Sequence, residues 1–218
     1  MVVKKMAEKV NLTTYDGVNI VGSYALSQNP KNTVVLLLHQ LRRDKSIWNF
    51  LIEKLSTTGF SSLAIDFRGH GESGGDRWED FTEEQFQAMI NDVEAAGKYL
   101  RDRHPSASIA VIGSSIGANL ALNYAANNNV SSVVLLSPGQ DYHGITTEGS
   151  ASGFSEPLFM AASSDDANQS VEAIQRISSL VTTPQDLLKI VTYTDAGHGV
   201  DMFSKHPDLQ DQIVKWLR

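Results

Sequence analysis

The sequence contains no cysteine. Disulfides, thiolate metal sites and a cysteine nucleophile are therefore excluded, and cysteine usage does not indicate the redox state of the compartment. Long apolar runs are also missing. A membrane-spanning helix needs roughly 18 consecutive apolar residues, whereas "VVLLL" at 34–38 has only the length of a strand.

The chain has no excess of cationic residues either. Its formal net charge is -7, and the charges do not form long runs. This balance argues against nucleic acid or an anionic membrane as a partner, because both bind clustered Lys and Arg. The first residues, "MVVKKMAEKV", carry charges without a following apolar segment, which predicts that there is no signal peptide. We therefore expect a cytoplasmic protein without a membrane span.

No internal repeat, low-complexity tract or linker divides the chain. With 218 residues and 41% apolar content, it is long enough to bury one sizeable core. We expect a single domain of mixed α/β structure over residues 1–218.

Eight short segments rich in β-branched residues or leucine predict strands. They are residues 8–14, 18–26, 33–39, 61–67, 108–113, 131–137, 157–163 and 187–193. The first two are joined at Tyr15-Asp16-Gly17, a hairpin turn signal. The later six are continuously apolar, as is typical of strands covered on both faces.

Helical patterns alternate with these strands. They cover residues 46–58, Thr82 to about Arg101, 116–128, 168–180 and the segment from Pro207 onward. The alternation predicts a mostly parallel sheet with helices on both faces and an antiparallel hairpin at one end. Residues 138–156 are the only long stretch without a periodic pattern, and we predict a loop there.

In sheets of this kind, functional residues collect where the parallel strands end. The segment "GSSIG" at 113–117 lies at such a place, between an apolar strand and an alanine-rich helix. It fits the pattern Gly-x-Ser-x-Gly, in which the serine occupies a strained turn and very small residues stand two positions away. The glycines select Ser115, because the corresponding neighbours of Ser114 are isoleucines. The alternative interpretation is a tight turn of small residues.

A serine nucleophile needs a base, and His198 is the best placed of the six histidines. It follows the last predicted strand and lies between Gly197 and Gly199. A histidine on that loop can reach the end of a neighbouring strand. His104 and His206 flank helices, and we interpret them as surface or structural residues.

The base in turn needs a carboxylate that orients it and stabilises its charged form. The segment "AASSDDANQ" offers Asp165 and Asp166 where the predicted strand 157–163 ends. Asp141, after the preceding strand, is a weaker candidate. One member of the aspartate pair is expected to serve turn formation or helix capping.

A rival class is a nucleotide-binding oxidoreductase, because "DFRGHGESGG" contains Gly69-x-Gly71-x-x-Gly74. In a dinucleotide fingerprint, however, the glycines open a helix directly within the first βαβ unit. Here the next helical pattern begins only at about Thr82, and the segment follows the second parallel strand. The context therefore argues against a nucleotide site.

Together, "VVLLLHQ", "AIDFRGHGES", "VIGSSIGA", the aspartate pair and "DAGHG" resemble the α/β-hydrolase superfamily over nearly the whole chain. The order of these motifs is more specific than any one of them. The set looks most like the small, nearly capless esterases, acyl hydrolases and dienelactone-hydrolase-like members, together with related serine peptidases.

This resemblance implies that Ser115 is the nucleophile, His198 the general base and Asp165 the acid that orients it, with Asp166 as the alternative acid. It further implies an oxyanion hole formed by the backbone N–H groups of Leu41 and Ile116. His70 is expected to be structural rather than catalytic.

We thus expect a serine hydrolase that cleaves carboxylic esters of small molecules through an acyl-enzyme, with no cofactor and no metal. Two alternatives stay open. One is a protein of the same fold that binds a ligand or partner without catalysis. The other is a thioesterase, a peptidase or a cofactor-free lyase that uses the same residues.

The chain departs from the family pattern at one position. The family usually has His-Gly after the first parallel strand, whereas this chain has His39-Gln40. Gln40 lacks the freedom of glycine at positive φ, so we expect it either to disturb the turn at Leu41 or to place its side-chain amide in the pocket. Because residues 138–156 are too few for a full cap, we predict an open site with Tyr142, His143 and Phe154 at its rim.

Overall fold

The computed structural model describes residues 7–217. The strands in this part of the chain are β1 (Glu8–Thr13), β2 (Asn19–Ala25), β3 (Thr33–Leu38), β4 (Ser61–Ile65), β5 (Ser108–Ser114), β6 (Ser132–Leu136), β7 (Asp141–Tyr142), β8 (Ile145–Thr146), β9 (Leu158–Ser163) and β10 (Leu188–Tyr193). The helices are α1 (Asn49–Thr57), α2 (Glu83–Gln87), α3 (Ile90–Arg103), α4 (Ile116–Ala125), α5 (Glu148–Ala151), α6 (Ser170–Leu180), α7 (Met202–Lys205) and α8 (Asp208–Trp216). The prediction about a signal peptide concerns the N-terminus, of which residues 1–6 lie outside the described residues.

One sheet of eight strands has the order β1-β2-β4-β3-β5-β6-β9-β10. All pairs from β4 to β10 are parallel, while β2 is antiparallel to both β1 and β4. The predicted fold class is confirmed. The chain runs from β3 to β4 on one side and returns with β5 on the other. Binding crevices form at such switch points, outside the carboxyl ends of the strands.

The sheet separates two apolar layers. In β3, Val34, Leu36 and Leu38 belong to one buried cluster and Val35 and Leu37 to the other. The first cluster includes residues of α3, α4 and α6, and the second includes residues of α1 and α8. Successive side chains of a strand point to opposite faces, so a strand covered on both faces must be apolar at every position. This is why the run "VVLLL" does not alternate in polarity.

The predicted helix after Thr82 is interrupted. Its capping box is present, because Thr82 accepts the N–H of Gln85 and the Gln85 side chain accepts the N–H of Thr82. Two helices, α2 and α3, follow instead of one. At their junction the N–H of Met89 bonds the carbonyl of Phe86, three residues earlier, so the last turn of α2 tightens. The side chain of Met89 is fully buried there.

Residues 138–156 are not the plain loop that the sequence predicts. They contain the small hairpin β7–β8 and the short helix α5. Asn119 of α4 holds this segment, because its Nδ2 donates to Ile145 O at 2.7 Å and its Oδ1 accepts from Gly139 N at 3.0 Å. Strands of two residues are too short to leave a periodic pattern. Among the described residues, no helix is both long and apolar enough to cross a membrane.

A buried arginine links three parts of the fold near the site. Arg68, after β4, donates through its backbone N–H and its Nε to the two carboxylate oxygens of Asp92 in α3. Its other two guanidinium nitrogens donate to Asp16, in the turn between β1 and β2. Burial raises the pKa of Asp92 to about 6, although Arg68 acts in the opposite direction. The network therefore stabilises a carboxyl group that water cannot reach.

We predict that Arg68→Ala lowers the free energy of unfolding by about 3–5 kcal/mol, because it leaves a buried charge without its partner. Urea denaturation would measure the change. Arg77→Ala is the matched control, since Arg77 lies in the same loop, is exposed and pairs with Glu79. Exposed pairs contribute little to stability. Equal losses for the two variants would contradict this account of the network.

Candidate active site

Ser115 stands at the sharp turn between β5 and α4. Its backbone angles are φ 57° and ψ -124°, a combination that residues other than glycine rarely adopt. A Cβ atom added to Gly113 would lie 2.0 Å from Gly117 O, and one added to Gly117 would lie 2.5 Å from the carbonyl oxygens of Leu38 and His39. Gly113 is required because α4 starts against the end of β5, and Gly117 because α4 also packs against the end of β3. Ser115, not Ser114, occupies the turn.

His198 lies on the loop after β10 and contacts a buried carboxylate. Its Nδ1 is 2.6 Å from Asp166 Oδ2. Ser170 Oγ and the Asn168 backbone and side chain also donate to Asp166. Burial by itself would raise the pKa of Asp166, but these hydrogen bonds outweigh it and hold the pKa well below its usual value. Since an ionised carboxylate only accepts, Nδ1 of His198 carries the proton that bonds Asp166, and in the neutral ring Nε2 is the nitrogen that can accept a proton.

The structure corrects the choice of Asp165 as the partner of His198. Asp165 is exposed, and its Oδ1 accepts from Ser163 Oγ at 2.5 Å and from Gly197 N at 3.0 Å. Asp166, one residue later, turns inward and is almost fully buried. Asp165 therefore forms the turn after β9, and the neighbouring aspartate receives the histidine. The weaker candidate, Asp141, accepts the N–H of Gly144 in the β7–β8 turn.

Side chains at the ends of three strands hold the loop that carries His198. Each accepts one backbone N–H of this loop. The pairs are Ala196 N with Ser163 Oγ, Gly197 N with Asp165 Oδ1, Gly199 N with Ser137 Oγ, and Val200 N with Gln40 Oε1. Gly199 has φ 61°, and a Cβ atom there would lie 2.3 Å from Ser114 Oγ. The loop is thus clamped on both sides of the histidine.

A cavity of about 550 Å³ contains both Ser115 and His198. This volume lies within the range of small-molecule sites. Its lining consists of Gln40, Leu41, Arg42, Arg43, Ser115, Ile116, Tyr142, His143, Asn168 and His198. Leu41 and Ile116, the predicted oxyanion donors, therefore border the same space as the serine. As the first residue of α4, Ile116 has an N–H without an intrahelical acceptor.

Gln40 does not take the strained conformation that the sequence led us to consider. It is absent from the residues with positive φ in the described chain, whereas Arg42 has φ 66°. The N–H of Arg43 bonds the carbonyl of Gln40 at 3.3 Å and closes a turn around Leu41 and Arg42. The Gln40 side chain borders the cavity, and its Oε1 also accepts from Ser114 Oγ at 2.8 Å.

Backbone strain is concentrated around this cavity. In the described part of the chain, the residues other than glycine with positive φ are Arg42, Ser115, Ser137, His143 and Gln169. Three of these line the cavity, and a fourth, Ser137, binds the loop of His198. Such conformations cost about 1–3 kcal/mol each and cluster at functional sites.

Two other histidines at this edge have structural surroundings. His39 is fully buried, and its two ring nitrogens contact Gln40 O and Phe67 N. Burial lowers the pKa of His39 to about 4, so the ring is neutral and links the ends of β3 and β4. His70 is buried and stacks on Trp78, with ring centroids 5.6 Å apart. Neither residue borders the cavity of Ser115.

Only two of the three predicted rim residues border the cavity of Ser115. Tyr142 and His143 line the cavity, and burial raises the pKa of the Tyr142 phenol, which stays protonated at neutral pH. His143 stacks on Phe86 with ring centroids 4.1 Å apart. Phe154 is buried and borders a separate cavity beside α5, so its prediction as a rim residue is wrong.

The glycine motif at 69–74 has a structural explanation. A Cβ atom on Gly71 would lie 2.3 Å from the carboxylate of Asp66, which also accepts the backbone N–H groups of Lys45 and Glu72. Gly71 lets the loop fold around this buried carboxylate, while Gly69 lies against the backbone of Asp76 and Trp78. The next α-helix, α2, starts only at Glu83, so the motif does not open a helix as a dinucleotide fingerprint does.

Sequence reasoning missed the residues that support the site. Ser137, Asn168 and Ser170 contact the loop of His198 or the carboxylate of Asp166. Serine and asparagine are common in turns, and nothing in their local pattern separates them from other turn residues. Their role depends on which strand ends the sheet brings together.

The sheet order and the serine turn define an α/β-hydrolase. Beyond this class, the chain belongs to the family described as serine aminopeptidase, S33 (Hydrolase_4), whose model matches residues 28–182. The family is one of hydrolases, and the matched range contains Ser115 and Asp166 but ends before His198.

Individual relatives have more varied descriptions. The chain is 27% identical over 131 residues to a monoacylglycerol lipase of Mycolicibacterium smegmatis, across 58% of this chain and 45% of the relative. It therefore spans less than half the length of that curated relative.

Among solved structures, the esterase Pf2001 of Pyrococcus furiosus aligns with a TM-score of 0.80 and 24% identity over 97% of this chain and 91% of that chain. XC6422 of Xanthomonas campestris, described as an α/β serine hydrolase without a lid, aligns with a TM-score of 0.73 and 15% identity over 100% of this chain and 96% of that chain. At these identities the two structures support the fold.

The geometry predicts which aspartate binds the histidine in solution. A proton shared between imidazole and carboxylate gives a far-downfield proton NMR signal. We expect this signal in the wild type and in Asp165→Asn, and its loss in Asp166→Asn. Asp165→Asn is the matched control, since it changes the adjacent residue in the same way. Loss of the signal in Asp165→Asn alone would contradict the assignment.

The clamp on the His198 loop predicts a role for Gln40. Gln40→Ala removes the acceptor of the Val200 N–H, and leaving such a donor unpaired costs about 1–3 kcal/mol of stability. We expect faster amide exchange at Val200 together with this loss in urea denaturation. Ser114→Ala removes a donor to Gln40 but preserves the Val200 bond, so exchange at Val200 should change less. An unchanged Val200 exchange rate in Gln40→Ala would refute the role.

Proposed function

We propose that this protein is a carboxylesterase that uses Ser115, His198 and Asp166 and forms an acyl-enzyme. One observation carries the proposal: a serine in a strained turn shares a cavity with a histidine whose other ring nitrogen binds a buried carboxylate. This is the arrangement that activates a serine nucleophile on several unrelated folds.

The first half of the reaction follows from the groups in the cavity. Ser115 Oγ attacks the ester carbonyl carbon while Nε2 of His198 takes its proton. The carbonyl oxygen becomes an oxyanion, to which the N–H groups of Leu41 and Ile116 donate. Losing one such donor costs about 10²–10³ in rate in a comparable serine enzyme. The protonated His198 then gives its proton to the departing alkoxide, and the acyl group stays on Ser115.

In the second half, water replaces the alcohol. His198 removes a proton from the water, which attacks the acyl carbon, and the Ser115 oxygen leaves with that proton. Asp166 stabilises the imidazolium in both halves by accepting from Nδ1. Its depressed pKa supports this role, because the carboxylate is then ionised at neutral pH.

The substrate that fits best is a small or exposed ester. Above the site, residues 138–156 supply only a two-strand hairpin and a one-turn helix, which leave a cavity of about 550 Å³. The relatives described as an esterase and a monoacylglycerol lipase support ester substrates. We further propose that the chain acts as one catalytic domain, since a single sheet extends from β1 to β10.

The direct test is covalent labelling with a fluorophosphonate together with hydrolysis of para-nitrophenyl esters of increasing acyl length. We expect wild type to be labelled and active. Ser115→Ala should not be labelled, and its rate of hydrolysis above background should fall at least about 10³-fold. Ser114→Ala should remain labelled, because its buried Oγ donates to Gln40.

Two results would contradict the proposal. One is Ser115→Ala that is folded by circular dichroism and still hydrolyses the esters at the wild-type rate. The other is a folded wild type that neither reacts with the probe nor hydrolyses any ester, which would favour a binding protein of the same fold. Preference for a thioester or an aminoacyl amide over the matched ester would identify a thioesterase or a peptidase that uses the same three residues and the same mechanism.

A further inference from the structure

The cavity of Ser115 is cationic in a protein whose net charge is -7. Arg42 and Arg43 both line it, and the ten lining residues include no Asp or Glu. Acidic side chains exceed basic ones in the whole chain by 25 to 18, so a cavity with two arginines and no carboxylate is contrary to the composition. This local charge favours an anionic group in the bound molecule.

Arg42 carries most of this unneutralised charge. Among residues 7–217 it forms no ion pair, and its guanidinium lies 5.8 Å from the centre of the Trp78 ring. The ring offers a face for the cation but no counter-charge. Arg43 differs, because one of its nitrogens is 3.9 Å from a carboxylate oxygen of Asp201.

The backbone that presents Arg42 is fixed. The turn closed by Arg43 N and Gln40 O is followed by Asp44, whose side chain accepts the N–H of Ser46 at 2.8 Å. Lys45 then donates its N–H and its Nζ to Asp66, at 2.7 and 2.6 Å. A rigid loop presents its side chains at a lower entropic cost of binding.

The conformation of Arg42 adds an independent observation. It stands third in its turn with φ 66°, where glycine would be unstrained. A long cationic side chain at such a place is a form of local strain, which typically marks functional positions. The neighbouring residue, Leu41, supplies a proposed oxyanion donor, so the guanidinium of Arg42 belongs to the same turn as a group that would bind the reacting carbonyl oxygen.

We propose that the cavity takes esters bearing a carboxylate or another anionic group, which Arg42 binds. This inference rests on the proposed function, since it specifies the substrate class of that same site. A guanidinium donates two parallel hydrogen bonds to a carboxylate, and such charge-assisted bonds are roughly twice as strong as neutral ones. Arg43 contributes less, because Asp201 offsets part of its charge.

Two matched ester pairs test the proposal and locate the anion. The first pair, para-nitrophenyl hydrogen adipate and its methyl ester, places the charge on the acyl side. The second, para-acetoxybenzoate and its methyl ester, places it on the leaving group. At low ionic strength, kcat/KM of wild type should favour the anionic member of at least one pair by about tenfold. Added salt should reduce this ratio, because it screens exposed charges.

Substitutions assign the preference to Arg42. Arg42→Gln should bring the ratio of anionic to neutral kcat/KM close to one, and Arg42→Lys should retain part of it. Arg43→Gln should reduce the ratio less. Lys98→Ala is the matched control, since it removes one positive charge from an exposed position on α3 and should preserve the ratio. A wild-type ratio of one or less in both pairs, or a ratio that survives in Arg42→Gln, overturns the proposal.

A binding arm separates this inference from the proposed function. Ser115→Ala protein is titrated with monomethyl adipate and with dimethyl adipate, and with para-acetoxybenzoate and its methyl ester, and chemical shifts are followed by NMR. Tighter binding of an anionic member by about tenfold, lost on further Arg42→Gln substitution, supports the anion site even if wild type hydrolyses no ester. Equal affinities within both pairs reject the site even if the esterase activity is present.

Discussion

The position of the imidazole depends on four hydrogen bonds that the loop of residues 196–200 makes to other strand ends. Gln40 follows β3, Ser137 follows β6, and Ser163 and Asp165 are at the end of β9. The bonds of Ala196 N and Gly199 N are buried, and a buried N–H without an acceptor costs about 1–3 kcal/mol, so a loop that moved away would lose at least these two contributions. The order of strands in the sheet thereby sets the place of His198, although that residue lies more than 80 positions from Ser115 in the chain.

The same edge of the sheet combines close packing with strain. The carbonyl groups at the end of β3 exclude a side chain from Gly117, and Ser115 takes a conformation that other turns avoid. Each strained residue is unfavourable by itself, and it persists because β3, β5 and β6 are buried on both faces. The candidate site thus lies where these buried strands end. Flexible connections alone could not hold a serine, a histidine and two backbone donors within one small cavity.

Electrostatics at this edge is divided between buried and exposed groups. Asp166 is buried, ionised and bonded by several donors, so its charge acts on His198 rather than on the solvent. Arg42 is exposed at the mouth of the same cavity without a carboxylate partner in the described chain. The two charges therefore serve different purposes in the function proposed here, one within the catalytic groups and the other in substrate selection.

Much of the fold could be predicted from the sequence, because its signals are local. The eight long strands and the strained serine depend on runs of apolar residues and on two glycines at fixed spacing. The choice between Asp165 and Asp166 does not depend on local signals, since both residues follow β9. They differ in burial and in their contacts with the His198 loop, because Asp166 is buried and bonds His198 whereas Asp165 accepts Gly197 N. The strain at Arg42 and the acceptor role of Gln40 were likewise decided by tertiary structure. A sequence pattern indicates which faces of a strand or helix are apolar. Hydrogen bonds between strand ends depend instead on which strands become neighbours in space.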